Sequence, residues 1–368
     1  MNMRKSIGDT NGVFIKKNIV LALLVCAAAH PLMASGQASG SKAAAEGALK
    51  PFRLGHLNST AHLLAFVAKE EGFFAEEGLD AELTQFASAS ELVAGVESGK
   101  LDMAFIAAVN LATFQATGHE LSVIGGAMTN GHGYVIKGEL VPPGYKTGDI
   151  SILKGKNVAT VKNSVQEYEL LVLLKNNRLT LGKDVNIVYF SSHTEAYNAI
   201  QNKEIDVVSV YSPYTSRARN EGHAVVYYCN EKPEFLNQPC CRQVVYTPTL
   251  KEKSGLFHAA ARAFIKAYKF SQENHEKTVT DVNKYIPLAS EMIDYEVYGG
   301  HSVSNPDPDK KATVKLRDEL AAFGYTNYYD IEPLFNTAIY QAALEELVKA
   351  NPDDAVYRNM QVHFNRFE

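Results

Sequence analysis

The sequence predicts an α/β fold of two similar lobes, each a mainly parallel sheet covered by helices, the lobes being joined by a two-strand hinge. Three observations carry this. Residues 53–110 recur in type as residues 157–214 at a constant offset of 104, setting Gly78, Asp80 and Phe86 beside Gly182, Asp184 and Phe190, and Leu101-Asp102 beside Ile205-Asp206. A period near a hundred residues is too long for a solenoid unit and suits two copies of one architecture. Each copy alternates strand and helix patterns, the mark of parallel sheets. The last strand of each copy, 101–107 and 205–210, is almost wholly apolar, as a strand buried on both faces is.

The elements follow in order. Lys16 and Lys17 precede an apolar run over 19–29, then Pro31 and small residues, so 1–38 reads as an export signal with cleavage after Gly36 or Ala38. A run of 11 residues falls short of the roughly 20 that span a bilayer. A lipid attachment at Cys26 would need a small residue where Val25 stands. The mature chain is therefore expected to be periplasmic or secreted.

Beyond it, 52–57 alternates as a first strand, Asn58, Ser59 and Thr60 are cap candidates, and Leu63, Phe66 and Val67 give a helix over 61–71 its apolar stripe. A strand over 79–86 and a helix over 89–98 stopped by Gly99 complete the unit. The second copy repeats it, with strands at 157–161 and 185–190 and helices from 165 and over 195–202. Residues 121–137 are strand-like with a Gly125-Gly126 interruption, 243–247 is another strand, and helices follow over 254–273, 310–322 and 335–349. The economical topology makes 51–135 and 243–368 one lobe and 136–242 the other, with crossings near 128–138 and 239–246. Two crossings permit a closing motion.

A net charge of -5 with scattered Lys and Arg excludes the basic stripe of a nucleic-acid binder. The chain carries no Gly-rich phosphate loop with Lys, no nucleophile elbow and no Glu-flanked His pair, so no catalytic residue, cofactor or metal is expected. His56, His62, His132 and His193 fall near expected cleft edges without helical metal-pair spacing.

The segments Ala65-Phe66-Val67-Ala68-Lys69-Glu70-Glu71-Gly72-Phe73-Phe74, Glu77-Gly78-Leu79-Asp80, Val96-Glu97-Ser98-Gly99-Lys100-Leu101-Asp102, Leu153-Lys154-Gly155-Lys156 and Phe264-Ile265-Lys266-Ala267 carry a resemblance. Over 51 to about 275 the chain resembles the nitrate, sulfonate and taurine type of extracytoplasmic substrate-binding protein of ABC importers, related to the pyrimidine-precursor (NMT1/THI5-like) proteins. The resemblance implies a two-lobed periplasmic binding protein fold of type II, a monomer that captures a small ligand and delivers it to an ABC permease in the membrane. Two rivals stand beside it: a metal-dependent pyrimidine-precursor synthase using Cys240 and Cys241, and a solute sensor for a membrane kinase.

Ligands of open α/β sheets sit beyond the carboxyl ends of the strands, where helix N-termini present amides. That rule selects Asn58, Ser59, Thr60, Ser88, Ser90 and Asn110 in the first lobe, and Asn163, Ser164, Ser192, Tyr211 and Tyr214 in the second. Each short polar residue is equally readable as an ordinary N-cap. His132 and Arg242 join them from the two crossings, Arg242 as a partner for an anionic group. With few charged candidates, a small organic acid, sulfonate or heteroaromatic is favoured over bare nitrate. Export leaves Cys229, Cys240 and Cys241 in an oxidising compartment, where a disulfide from Cys229 to Cys240 or Cys241 is expected. The resemblance places a metal-linked cysteine cluster at this crossing in the fungal synthase branch, of which this chain keeps two cysteines.

Overall fold

The computed structural model describes residues 48–202, 205–325 and 327–368. The export signal expected over 1–38 lies outside the described residues, among which no helix is long and apolar enough to cross a membrane.

Eleven strands are described, β1 (Lys50–His56), β2 (Leu79–Gln85), β3 (Met103–Ala107), β4 (Leu121–Asn130), β5 (His132–Ile136), β6 (Lys156–Val161), β7 (Val185–Phe190), β8 (Val207–Tyr211), β9 (Ala224–Tyr228), β10 (Pro239–Tyr246) and β11 (Ser302–Ser304). They form two sheets, ordered β11-β4-β10-β3-β1-β2 and β7-β6-β8-β5-β9. In the first, β1 pairs in parallel with β2 and β3, and β10 and β4 extend it antiparallel. In the second, β6 pairs in parallel with β7 and β8, and β5 and β9 extend it antiparallel. Each lobe is thus a parallel three-strand unit, one of the two sequence copies, with antiparallel strands added at the side where the chain crosses.

Strands β3 and β8 are buried over their first four residues, so helices cover both sheets. Phe52, Phe66, Phe74, Phe105 and Phe264 fill the first core; Tyr134, Val158, Leu170, Val207 and Tyr227 belong to that of the second lobe. The helix Ser254–Glu273 packs back on the first lobe through Phe257 and Phe264, and then carries the helices Ala338–Ala350 and Ala355–Phe367 on its other side, through Ile265, Leu344 and Phe364.

The first crossing falls at Gly131, inside the expected 128–138, and the second is completed before β10, just ahead of the expected 239–246. The sequence reads 121–137 as broken at Gly125-Gly126, whereas the strand runs through both glycines and breaks at Gly131, whose φ of 84° ends β4 and starts β5 in the other sheet. Gly126 is a glycine for another reason: a Cβ there would lie 1.9 Å from the carbonyl of Asp307, in a loop that crosses over β4. The chain returns through 229–238 to β10, so Pro239–Gln243 belongs to the first sheet, several residues before the expected boundary after 242.

Candidate functional site

The strand ends place the site. The chain leaves β1 at Leu57, β2 at Ala87, β3 at Ala107, β6 at Val161, β7 at Ser191 and β8 at Tyr211, and all six residues line one cavity of about 150 Å³ between the sheets. The helices Ala89–Glu97 and Val165–Asn176 start at this cavity, one from each lobe. The first turn of a helix leaves N–H groups without intrahelical partners, so both starts bring amide donors to the edge of the cavity.

Of the residues the sequence selects, Ser59, Ser88 and Asn110 reach the wall from the first lobe, and His132, Asn163, Ser164, Ser192 and Tyr211 from the second. Several are caps as well. Ser88 Oγ accepts from the Glu91 N–H at 3.3 Å, and Ser192 Oγ from the Glu195 N–H at 3.2 Å. Ser164 Oγ accepts from the Glu167 N–H at 3.2 Å and donates to the Val161 carbonyl at 2.7 Å, so its hydrogen is already used. A cap oxygen that only accepts still carries a hydrogen to donate.

Asn58, Thr60, Ser90, Tyr214 and Arg242 are not among the lining residues. Thr60 is spent on the closure of the lobes: its N–H donates to the Ser212 carbonyl at 3.3 Å, its hydroxyl pairs with that of Ser212, and Ser59 Oγ donates to the same carbonyl at 3.0 Å. Tyr214 bonds Thr194 at 2.9 Å and packs on Tyr197 behind Tyr211. Arg242 is fully buried beside Asp309 at 3.5 Å, and donates to Thr313 and the Cys241 carbonyl. On a strand flanked by β3 and β4, its side chain takes the face covered by the 305–309 loop and not the face toward the cavity.

The cysteines also depart from expectation. All three are free thiols, and the ring of His132 separates the pair expected to join: Cys229 Sγ lies 3.8 Å from its Nδ1, and Cys240 Sγ lies 3.1 Å from its Nε2. Cys240 and Cys241 instead face each other with sulfurs 3.3 Å apart, and both line the cavity. Adjacent residues of a regular strand point to opposite faces. Here the pairing steps from Pro239↔Thr129 to Cys241↔Met128, so Cys240 is the extra residue of a bulge, and a bulge re-aims its side chain.

Sequence reasoning missed Glu169. Its carboxylate is fully buried on the helix Val165–Asn176, where it accepts from His132 Nδ1 at 3.2 Å and from Gln238 Nε2 at 3.0 Å. The signal was its place four residues after Val165, on the helix face that turns inward. Burial opposes a charged His132 ring, but the Glu169 carboxylate and the neighbouring Cys229 outweigh it and push its pKa up to about 10. His193, also at the wall, has no such partner, and burial with the nearby His132 charge brings it down to about 3. Burial pushes the Tyr211 phenol up. Donor atoms of His132, Glu169 and Cys229 lie within 4.8 Å of one another. Here Nδ1 of the ring bonds the carboxylate, so His132 and Glu169 form a hydrogen-bonded pair with the Cys229 sulfur beside it.

What remains is a small, partly open cavity with an apolar lining from Leu57, Phe105, Val161 and Tyr211, amide and hydroxyl groups at its rim, and one lysine, Lys162, in its wall. Such a site can grip a small solute from both sides.

The description of one family, NMT1-like, matches residues 46–283, well over half of the chain and both copies of the repeat. The chain belongs to the NMT1-like family. Among curated protein sequences none matches it. Among solved structures, this NMT1-like protein is similar in fold to the periplasmic nitrate-binding protein NrtA from Synechocystis PCC 6803, at 17% identity and a TM-score of 0.69 over 87% of this chain and 99% of that one. It is similar to the alkanesulfonate-binding protein SsuA from Xanthomonas axonopodis pv. citri bound to MOPS, at 15% identity and a TM-score of 0.64 over 79% and 99%. A zinc-bound ligand-binding component of an ABC-type import system from Staphylococcus aureus follows at 13% identity and a TM-score of 0.67 over 80% and 99%. The NMT1-like fold is therefore the two-lobed α/β fold of these binding components.

Proposed function

We propose that this NMT1-like protein is an extracytoplasmic solute-binding protein that encloses a small organic ligand between its lobes and presents it to an ABC importer. The observation that carries this reading is the single cavity wall to which six strand ends contribute, three from each copy of the repeat. A ligand touching both walls stabilises the closed form by its differential affinity for it, and the closed form is what a permease would recognise. Ser88, Asn110, Asn163, Ser192 and Tyr211 are the proposed ligand contacts, with Ser59 and Ser164, whose hydrogens are already used, contributing shape. A largely apolar wall with one lysine favours a small organic acid, sulfonate or heteroaromatic over a bare inorganic anion. The likeness of fold to binding components of importers supports the transport role, and the basic, apolar and small-residue pattern of 1–38 supports export.

A thermal-shift screen against small organic acids, sulfonates and heteroaromatics tests the reading. A true ligand raises Tm in proportion to the logarithm of its concentration over its Kd. The variant Ala87→Trp, which fills the rim from an exposed loop position, should abolish that rise. A ligand that stabilises this variant as much as the parent would place binding elsewhere.

A further inference from the structure

The transport reading leaves a chain of buried groups unused. Glu169 accepts from Nδ1 of His132, which fixes a hydrogen on that nitrogen, and Nε2 of the same ring meets the sulfur of Cys240 at 3.1 Å. Cys240 in turn meets Cys241 at 3.3 Å. At the far end stands His62, stacked on Phe105 and 1% exposed, whose Nδ1 accepts from the Leu57 N–H at 3.2 Å. That bond places the His62 hydrogen on Nε2, which is buried with no hydrogen-bond partner and whose field acts on Cys241. His132 therefore offers an N–H to the Cys240 sulfur, and the Cys240 and Cys241 sulfurs lie within hydrogen-bond reach of each other, so a thiolate on either one is held by the S–H of the other.

We propose that Cys240 and Cys241 are a peroxide-reactive vicinal dithiol on the wall of the cavity. A thiolate beside a resolving cysteine at a cavity wall is the arrangement that peroxide-sensing thiols require. In the first step one of the two sulfurs, as a thiolate, attacks one oxygen of a hydroperoxide: an S–O bond forms, the O–O bond breaks, and the leaving oxygen departs with the electron pair and takes up a proton. In the second step the neighbouring thiol attacks the sulfenic sulfur, the S–S bond forms, the S–O bond breaks, and the thiol hydrogen leaves with that oxygen as water. The two sulfurs are oxidised by two electrons and the hydroperoxide is reduced to water and an alcohol or a second water. Closing the ring brings the sulfurs from 3.3 Å to about 2.05 Å. The bulge at Cys240, which already turns both side chains to one face, makes that approach available. Closure removes one negative charge from the cavity wall.

The test treats the folded protein with hydrogen peroxide, removes the excess, and alkylates in denaturant before proteolysis. Trypsin leaves all three cysteines on the peptide 220–242, because Pro233 blocks cleavage after Lys232, so fragment ions place the modification. The expected result is a fragment holding Cys240 and Cys241 lighter by two hydrogens and unalkylated, with Cys229 alkylated and dithiothreitol restoring both thiols. Alkylation of all three after peroxide, or a disulfide that includes Cys229, overturns the proposal. Cys240→Ser and Cys241→Ser in the presence of dimedone test the sulfenic step: an adduct on the remaining cysteine of the pair in at least one variant, with none on Cys229, is expected. No adduct in either variant, or one on Cys229 alone, overturns the proposal, and the parent protein's disulfide is read independently of whether either variant folds.

Discussion

Asp102 accepts a hydrogen bond from the backbone N–H of Arg53 at 2.9 Å, and 104 residues later Asp206 accepts the same bond from Asn157 at the same distance. Each aspartate ties the residue before the third strand of its copy to the first strand, so the duplication in the sequence is a duplication of contacts. The copies then diverge. Asp102 also takes both nitrogens of the Arg53 fork at 3.0 Å and Lys253 at 2.8 Å.

Asp102→Ala is expected to cost about 2 kcal/mol, against about 1 kcal/mol for Asp206→Ala, because Asp102 also holds the Arg53 and Lys253 cations beside the backbone bond that both aspartates accept. The difference stays small because the Arg53 side chain is 38% exposed and is rehydrated once its partner is gone. Urea unfolding of the two variants checks this; equal losses would mean that the cations at Asp102 add nothing.

Ser88→Ala and Ser192→Ala each remove a side-chain cap, and each should lower stability by about 1 kcal/mol. Because the caps sit in different lobes, the double variant should lose the sum. A double loss well beyond the sum would show that the two serines are coupled through the cavity.

Stability should peak near neutral pH. Burial lowers the pKa of His193 to about 3 and that of His56 to about 4, both below the unfolded value of about 6.5, so their contribution is lost as pH falls below that value and the unfolded chain binds protons the fold does not. His132 has the opposite sign: its folded pKa of about 10 lies above the unfolded value, so its contribution is complete below about pH 6.5 and is lost as pH rises toward 10. Chemical denaturation from pH 5 to pH 10 should trace both limbs, and His132→Gln should flatten the alkaline limb while reducing the acid one only by the part of the His193 shift that the His132 charge causes.

Arg242→Ala should destabilise by about 3–5 kcal/mol, since it leaves buried carboxylates uncompensated. Burial and the neighbouring Asp309 charge already raise Asp307 to about 7. Ala87→Trp should do the reverse, sparing stability and blocking ligand. Calorimetry of both variants, with unfolding and binding read separately, distinguishes a residue that holds β10 in place from one that lines the site.

The repeat, the parallel strand and helix alternation of each copy and the strand ends that build the cavity were legible, because they follow from hydrophobic period and from turn residues that recur at one offset. The site was legible where it depends on strand ends, as at Ser88 and Ser192. It was not legible where one residue of register decides the outcome. The bulge at Cys240 turns two adjacent thiols to one face, and the loop over Gly126 buries Arg242, and neither leaves a local pattern in the sequence. The disulfide expectation failed for a related reason: compartment and spacing allow Cys229 to meet Cys240, but the His132 ring stands between their sulfurs. The helices His275–Asn283 and Ser290–Tyr298 escaped notice because their apolar stripes are short and are completed by packing on neighbouring helices, whereas Ala355–Phe367 carries a full stripe in Tyr357, Met360 and Phe364 that a reading of period could have found.

Native mass spectrometry of the parent protein and of Ala87→Trp, both isolated from the organism that makes them, tests enclosure of a solute between the lobes most directly. Binding in the cavity predicts a small co-isolated mass on the parent, released on denaturation and absent from the variant. The same mass retained in full by the variant would contradict it.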